Sequence, residues 1–220
     1  MTEAVKETLL AWKLELSAES LRKLEAFCAV LREKNAVQNL VSRKDEPQLW
    51  ERHILDSLAA APLLRRLLEP GARIADAGSG AGFPGLALAA ALEEFHFQLL
   101  DSRVRRCDFL KEAAAAMGAT NVQVFNRRVG EGGAGSEQRY AAVTERAMGQ
   151  LENILPQCLN ILAEGGIFLA WQSAAQLGQA RPAVDAALKK ARGVLAETVN
   201  YRLPGETEDR HILVFKRVGK

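Results

Sequence analysis

The chain has 220 residues, 48% hydrophobic and 25% charged, with a formal net charge of +2. That length can bury one good α/β core with a small appended unit, and the mild positive charge neither demands nor excludes a nucleic-acid partner, since a basic face can hide in a balanced total. Cys28, Cys107 and Cys158 are widely separated, with no CxxC pair and no zinc-type spacing, so buried thiols in a reducing compartment and no metal site are expected. Charges at Glu3, Lys6, Glu7 and Lys13 interrupt any signal-peptide core. No apolar run approaches the ~18 residues of a membrane span. A cytoplasmic protein follows by elimination.

Residues 1–69 read as a helical front end. Leu21, Leu24, Phe27, Cys28 and Leu31 recur at helical spacing behind Ser17 or Ser20 as N-cap. Asp45 with Pro47 opens a further helix carrying Trp50, His53, Ile54 and Leu58; Pro62 interrupts it and Pro70-Gly71 closes the region. From Arg73 onward strands alternate with helices. Strands are expected over 74–77, 95–100, 122–125, 141–144 and 167–171, and helices over about 85–94, 103–117 and 150–162, the last stopped by Gly165-Gly166. Gly130 to Gly135 reads as a flexible loop. After a helix near 182–193, strands over 197–203 and 211–217 form a hairpin that adds an antiparallel strand to an otherwise parallel sheet.

The densest signal is Asp76-Ala-Gly78-Ser-Gly80-Ala-Gly82-Phe83-Pro84-Gly85, a strand running into a glycine turn and then a helix, with a second strand ending on Asp101. Glycine lets the backbone turn tightly and lets a ligand approach without a Cβ in the way. The helix amides then face the ligand. Gly80 to Gly85 matches GxGxxG, and Asp101 lies where an acid can accept hydrogen bonds from both ribose hydroxyls. Two details count against a dinucleotide. Asp76 would repel a pyrophosphate but can hydrogen-bond an amino-acid ammonium, and Gly78 rather than Gly80 is the first turning residue. Both fit S-adenosylmethionine (SAM), whose methionine end is zwitterionic. Phe83 can wall off that arm, and Asn126-Arg127-Arg128-Val129-Gly130 can hold adenine by apolar surface and a backbone amide. Thr144-Glu145-Arg146-Ala147 lies at the carboxyl edge of the sheet, where open α/β folds place ligands.

The expected fold is therefore a Rossmann-like, seven-stranded class I SAM-dependent methyltransferase domain over 70–220, integrated with the helical extension over 1–69. The edge carries no N/D-P-P-Y/F segment for an exocyclic amine. Cys158 lies within an apolar helical pattern rather than at a strand end, so a pyrimidine-C5 nucleophile is lacking as well. What remains is an acceptor with its own lone pair, such as guanine N7, methylated mainly through proximity and in-line alignment.

Asn39-Leu40, the segment Arg52-His53-Ile54-Leu55-Asp56-Ser57 and the glycine loop together resemble the bacterial small-subunit ribosomal RNA methyltransferase G family. The likeness continues through Leu99 to Ser102, Phe109-Leu110, Arg128-Val129, Arg146-Ala147 and Arg210-His211, nearly the whole chain. It implies SAM-dependent methylation of N7 of one guanine in the 530-loop of 16S rRNA, with the 30S subunit or its assembly intermediate as partner. Cofactor contacts then fall on Gly78, Phe83, Asp101, Val129, Gly130 and Arg146, beside Asp76 and Gly80 of the loop. Arg146 and Arg128 are the candidates for positioning the acceptor. Three positions depart from the family pattern: Gly130 stands for an acid, Gln172 for a lysine that would favour an RNA phosphate, and Glu145 for a serine, which puts negative charge beside the acceptor site.

An RNA substrate is held mostly through its phosphates. Candidate contacts are Arg43, Lys44, Arg52, Arg127, Arg128 and Arg210, whereas Arg103, Arg105 and Arg106 read as a solvated helix start. His53 and Asp56, one helical turn apart, read as a packing pair that ties the front helices to the cofactor domain. A monomer is expected. The alternatives are a methyltransferase for another RNA or a small molecule, an NAD(P) oxidoreductase, and a protein that only binds RNA.

Overall fold

In the computed structural model, which describes residues 1–130 and 139–218, α1 (Glu3–Ala11) precedes the long helix α2 (Ala18–Gln38). The Ser17 hydroxyl accepts the Ser20 amide at 3.0 Å, so Ser17 is the cap and Ser20 belongs to the first turn. Leu24, Phe27, Cys28 and Leu31 are buried, as their spacing requires, and Asn39 ends α2 in the left-handed conformation. Pro47 lies in the first turn of a 3-10 segment, Glu46–Gln48, followed by a π-turn at Trp50–Ile54 and by α3 (Leu55–Leu58). Pro62 was expected to interrupt. It instead opens a separate helix, α4 (Ala61–Leu67), from the first turn, where its missing N–H has no partner to lose.

The alternating region gives β1 (Arg73–Ala77), α5 (Gly85–Ala91), β2 (His96–Asp101), α6 (Val104–Met117), β3 (Val122–Asn126), β4 (Tyr140–Glu145), α7 (Leu151–Ile161) and β5 (Leu162–Ser173). It closes with α8 (Ala174–Ala191), β6 (Gly193–Tyr201) and β7 (Arg210–Arg217). The seven strands lie in the order β3-β2-β1-β4-β5-β7-β6. The first five are parallel, and β7 runs antiparallel to both β5 and β6. The terminal hairpin is thus present, folded so that its second strand sits inside its first.

Two boundaries differ from expectation. Gly165-Gly166 does not stop α7, which ends at Ile161. Leu162 already pairs with Tyr140, and the glycines absorb a register shift inside β5, Gly165 at φ +73°. Helix α8 begins at Ala174, and Pro182 lies within it rather than at its start. The expected loop from Gly130 to Gly135 falls, beyond Gly130, outside the described residues.

One face of the sheet packs against α5 and α6, with α2 layered over those two helices, and a single apolar cluster there runs from Val5 and Phe27 through Leu86 and Leu99 to Val214. The opposite face packs Val143, Phe168 and Phe215 against Leu155, Cys158 and Leu159 of α7. The front helices therefore share a core with the sheet. At its carboxyl edge, between β1 and β4, the strand order reverses, which is where open α/β sheets leave a crevice.

Candidate functional site

Beyond β1 the backbone takes a run of left-handed steps, with φ of +67°, +54° and +87° at Gly78, Gly80 and Gly82. A Cβ at Gly78 would lie 2.8 Å from the Met148 sulfur, and one at Gly85 would lie 2.6 Å from Asp76 Oδ2. Asp76 is wholly buried beneath the turn. Its Oδ1 accepts Thr144 Oγ1 at 2.8 Å and its Oδ2 accepts the Gly85 amide at 3.2 Å. Desolvation outweighs these bonds and lifts its pKa to about 6. The first amide of α5 is therefore tied to a buried carboxylate under the turn. Asp101, at the end of β2, accepts the Gly80 amide at 2.9 Å and the Arg103 amide at 2.8 Å. A second lone pair remains on each of its oxygens. Arg106 comes within 3.6 Å of Asp101, so that arginine borders the cradle rather than belonging to a purely solvated face. Val129 is buried, and Gly130, at φ +87°, lies against Gln157. Small residues, an acid at the second strand tip and a buried carboxylate beneath the turn fit a phosphate-free nucleoside cofactor.

Beside this cradle lies a cleft of about 750 Å³ lined by the front end, the tip of β4 and the terminal hairpin. Its organiser is Asp56, 2% exposed. Asp56 Oδ2 accepts Arg146 at 2.7 Å, and Oδ1 accepts the Tyr201 hydroxyl at 2.6 Å and Arg210 at 3.0 Å. The Trp171 indole donates to the Asp56 carbonyl at 2.9 Å. Burial beside Asp56 pushes the Tyr201 phenol well up, so it stays a donor. Phe83 forms the wall between cradle and cleft. Its ring packs on Phe27 at 5.0 Å and on His53 at 5.1 Å, and the Arg146 guanidinium lies 5.0 Å from its centroid.

The other expected residues divide into two sets. Arg43, Lys44 and Arg128 are exposed. Arg52 pairs with Asp45 at 3.2 Å, Arg127 donates to Tyr140 at 2.6 Å, and Arg210 also binds Glu206. Gln172 lines the cleft. Glu145 had been expected to add charge beside the acceptor. It points instead to the α7 face, fully buried, with Oε1 accepting the Met148 amide at 2.5 Å. Its Oε2 has no hydrogen-bond partner among the described residues, and burial raises its pKa to about 7. The hub role of Asp56, with Trp171 and Tyr201, escaped the sequence reading. Its one signal was the Arg52-to-Ser57 segment, whose His53–Asp56 pair was read as tying the front helices to the cofactor domain. All three cysteines are buried with thiols pushed up by desolvation, Cys28 to about 11. Among the described residues no cluster of metal-ligating side chains forms, and no helix is long and apolar enough to cross a membrane.

Several solved methyltransferases share this arrangement. A precorrin-6y C5,15-methyltransferase of Geobacter metallireducens superposes at TM-score 0.54, with 13% identity, over 83% of this chain and 92% of that one. A SAM-dependent O-methyltransferase of Thermotoga maritima also superposes at 0.54, with 19% identity, over 75% of this chain and 65% of that one. The fold is that of the class I SAM-dependent methyltransferases. The family model described as "rRNA small subunit methyltransferase G" matches residues 20–212. Proteins of that name in Shewanella amazonensis and Coxiella burnetii are 34% and 32% identical, over 97% and 98% of both chains. The chain belongs to the rRNA small subunit methyltransferase G family.

Proposed function

We propose that the chain transfers the methyl group of SAM to N7 of one guanine in the 530-loop of 16S rRNA, within the small ribosomal subunit or its assembly intermediate. The observation that carries this reading is the shared wall. Phe83 belongs to the glycine turn, yet it is stacked by His53 and covered by Arg146, two residues that line the cleft. A donor in the cradle and a base in the cleft would meet beside that ring, where His53 and Arg146 border the cleft.

SAM supplies an electrophilic methyl on a sulfonium. Gly78, Gly80 and Phe83 shape its methionine side, Asp101 takes the ribose hydroxyls through its spare lone pairs, and Val129 and Gly130 border the adenine. Asp76 acts from beneath the turn, holding Thr144 and the start of α5 in place. The N7 lone pair attacks the methyl carbon as the carbon–sulfur bond breaks and its electrons return to sulfur. No proton moves, so the buried thiols and the buried Glu145 are not needed as nucleophile or base. Arg146 is held at the wall by Asp56, and Arg43, Lys44 and Arg128 are the exposed cations suited to phosphates.

Calorimetry with SAM and with NAD, followed by methyl transfer from labelled SAM to 16S rRNA and to 30S particles, tests the reading. Binding of SAM alone and one new 7-methylguanosine, mapped by borohydride–aniline cleavage, are expected. Binding of NAD in its place, or label on a pyrimidine or an exocyclic amine, would overturn it.

A further inference from the structure

We propose that the Nε2–H of His53 donates to the O6 carbonyl of the acceptor guanine, and so makes His53 the residue that selects guanine over adenine. The assignment rests on the function proposed above and adds a discriminating contact to it. A lone pair at N7 does not discriminate, because adenine carries the same one. The two purines differ at the neighbouring position, where guanine presents a carbonyl acceptor and adenine an amino donor. A site for guanine N7 therefore needs a donor at that position, one that cannot turn into an acceptor.

His53 is fixed as such a donor. Arg146 Nη2 lies 3.1 Å from His53 Nδ1, and a guanidinium has hydrogens to give and no lone pair to offer. Nδ1 must accept, so Nε2 carries the proton. Burial and the adjacent Arg146 charge depress the imidazole pKa to about 4, which keeps the ring neutral near pH 7. Nε2 has no hydrogen-bond partner among the described residues and is covered in the free protein, so the base reaches it as the neighbouring Asp45 side chain turns aside. The nearest carboxylate oxygen, Asp45 Oδ2, stands 4.0 Å away, beyond hydrogen-bond reach, and is held by Ser42 at 2.7 Å. Asp45 Oδ1 is held by Arg52 at 3.2 Å.

The placement of the ring suits the task. His53 lines the 750 Å³ cleft and stacks on Phe83 at an interplanar angle of 22°, at the end of the cleft adjoining the cradle. It is carried on the π-turn Trp50–Ile54, and π-turns concentrate at functional sites. Neutrality also has a use. The base becomes cationic as the methyl arrives, and a neutral donor at O6 opposes that charge far less than a guanidinium would.

The test uses the full chain, small-subunit RNA and four bases at the acceptor position. Hypoxanthine keeps N7 and O6 and should be methylated within about threefold of guanine. 2-Aminopurine keeps N7 but lacks O6, and kcat/KM should fall about tenfold or more; adenine, with donor facing donor, should fall at least a hundredfold. His53→Phe keeps the stack on Phe83 without the donor. It should lose about tenfold on guanine, mostly in KM, and lose nothing further on 2-aminopurine, with SAM affinity by calorimetry unchanged within twofold. His53→Gln, which retains an N–H, should recover part of the preference and serves the same comparison if the Phe variant fails to fold. Equal losses on 2-aminopurine for the unaltered protein and the variants would overturn the assignment and make His53 a packing residue. No transfer to guanine RNA by the unaltered protein would overturn the function beneath it, and this assignment with it.

Discussion

The cradle and the cleft share one wall but are built by opposite means. The cradle is made of backbone: positive-φ glycines, amides, and two carboxylates at neighbouring strand tips, nearly all from Asp76 to Asp101. The cleft is made of side chains gathered from the front helices, β4, β5, β6 and β7 onto Asp56, Trp171 on its backbone carbonyl and the others on its carboxylate. A compartment built from local backbone keeps its shape through conformational restriction. One built from distant charged side chains keeps it through complete pairing, so loss of one member leaves the others buried and unsatisfied. The two halves should therefore fail differently.

The sharpest way to break the contrast is Asp56→Ala. It removes the hydrogen-bond acceptor of Tyr201 and the carboxylate of Arg146, while Arg210 keeps Glu206, and should cost about 3–5 kcal/mol of stability by urea denaturation. A loss below about 1 kcal/mol would mean that the cleft does not depend on its hub. Next in size is Glu145→Gln, at the seam under Met148. Below pH 4.5 Glu145 is protonated whether folded or not, and between pH 4.5 and its folded pKa of about 7 only the folded chain keeps the proton. Stability of the unaltered protein should therefore fall across that window as pH rises, by an amount on the order of 3 kcal/mol from this group. Glutamine still accepts the Met148 amide but has no such slope, so the variant should be the more stable one at pH 8. Parallel stability–pH curves for the two proteins would show that the buried carboxyl is not strained. The smallest effect expected is that of Arg128→Glu, outside both halves. RNA binding at low salt should weaken about tenfold, with SAM affinity unchanged within twofold. Equal losses would place Arg128 in the cradle instead.

The same contrast decides what the sequence made legible. Strands β1 to β4 and the glycine turn were readable because each is written in a few adjacent residues: apolar runs, left-handed positions that suit glycine, an acid at a strand tip. Asp56 was visible only as a neighbour of His53, because its partners lie 90 to 154 residues further on and nothing local marks them. Glu145 was read as a charge facing the acceptor. Strand parity sends it with Val143 to the α7 face, which hydropathy at one residue does not reveal. Gly165-Gly166 was taken for a helix stop because a kink inside a strand draws on the same residue type. The π-turn under His53 has no compositional signature at all.

The inversion at the hairpin has a consequence for how the molecule comes into being. Since β7 is threaded between β5 and β6, the sheet stays split during synthesis, with a bare edge on β5 and β6 unmatched, until the segment from Arg210 onward has left the ribosome. Arg210 is also a member of the Asp56 cluster, so completion of the sheet and completion of the cleft coincide in time. A chain cut short before that strand lacks more than a tail: it is an open template for aggregation with no assembled place for a nucleobase.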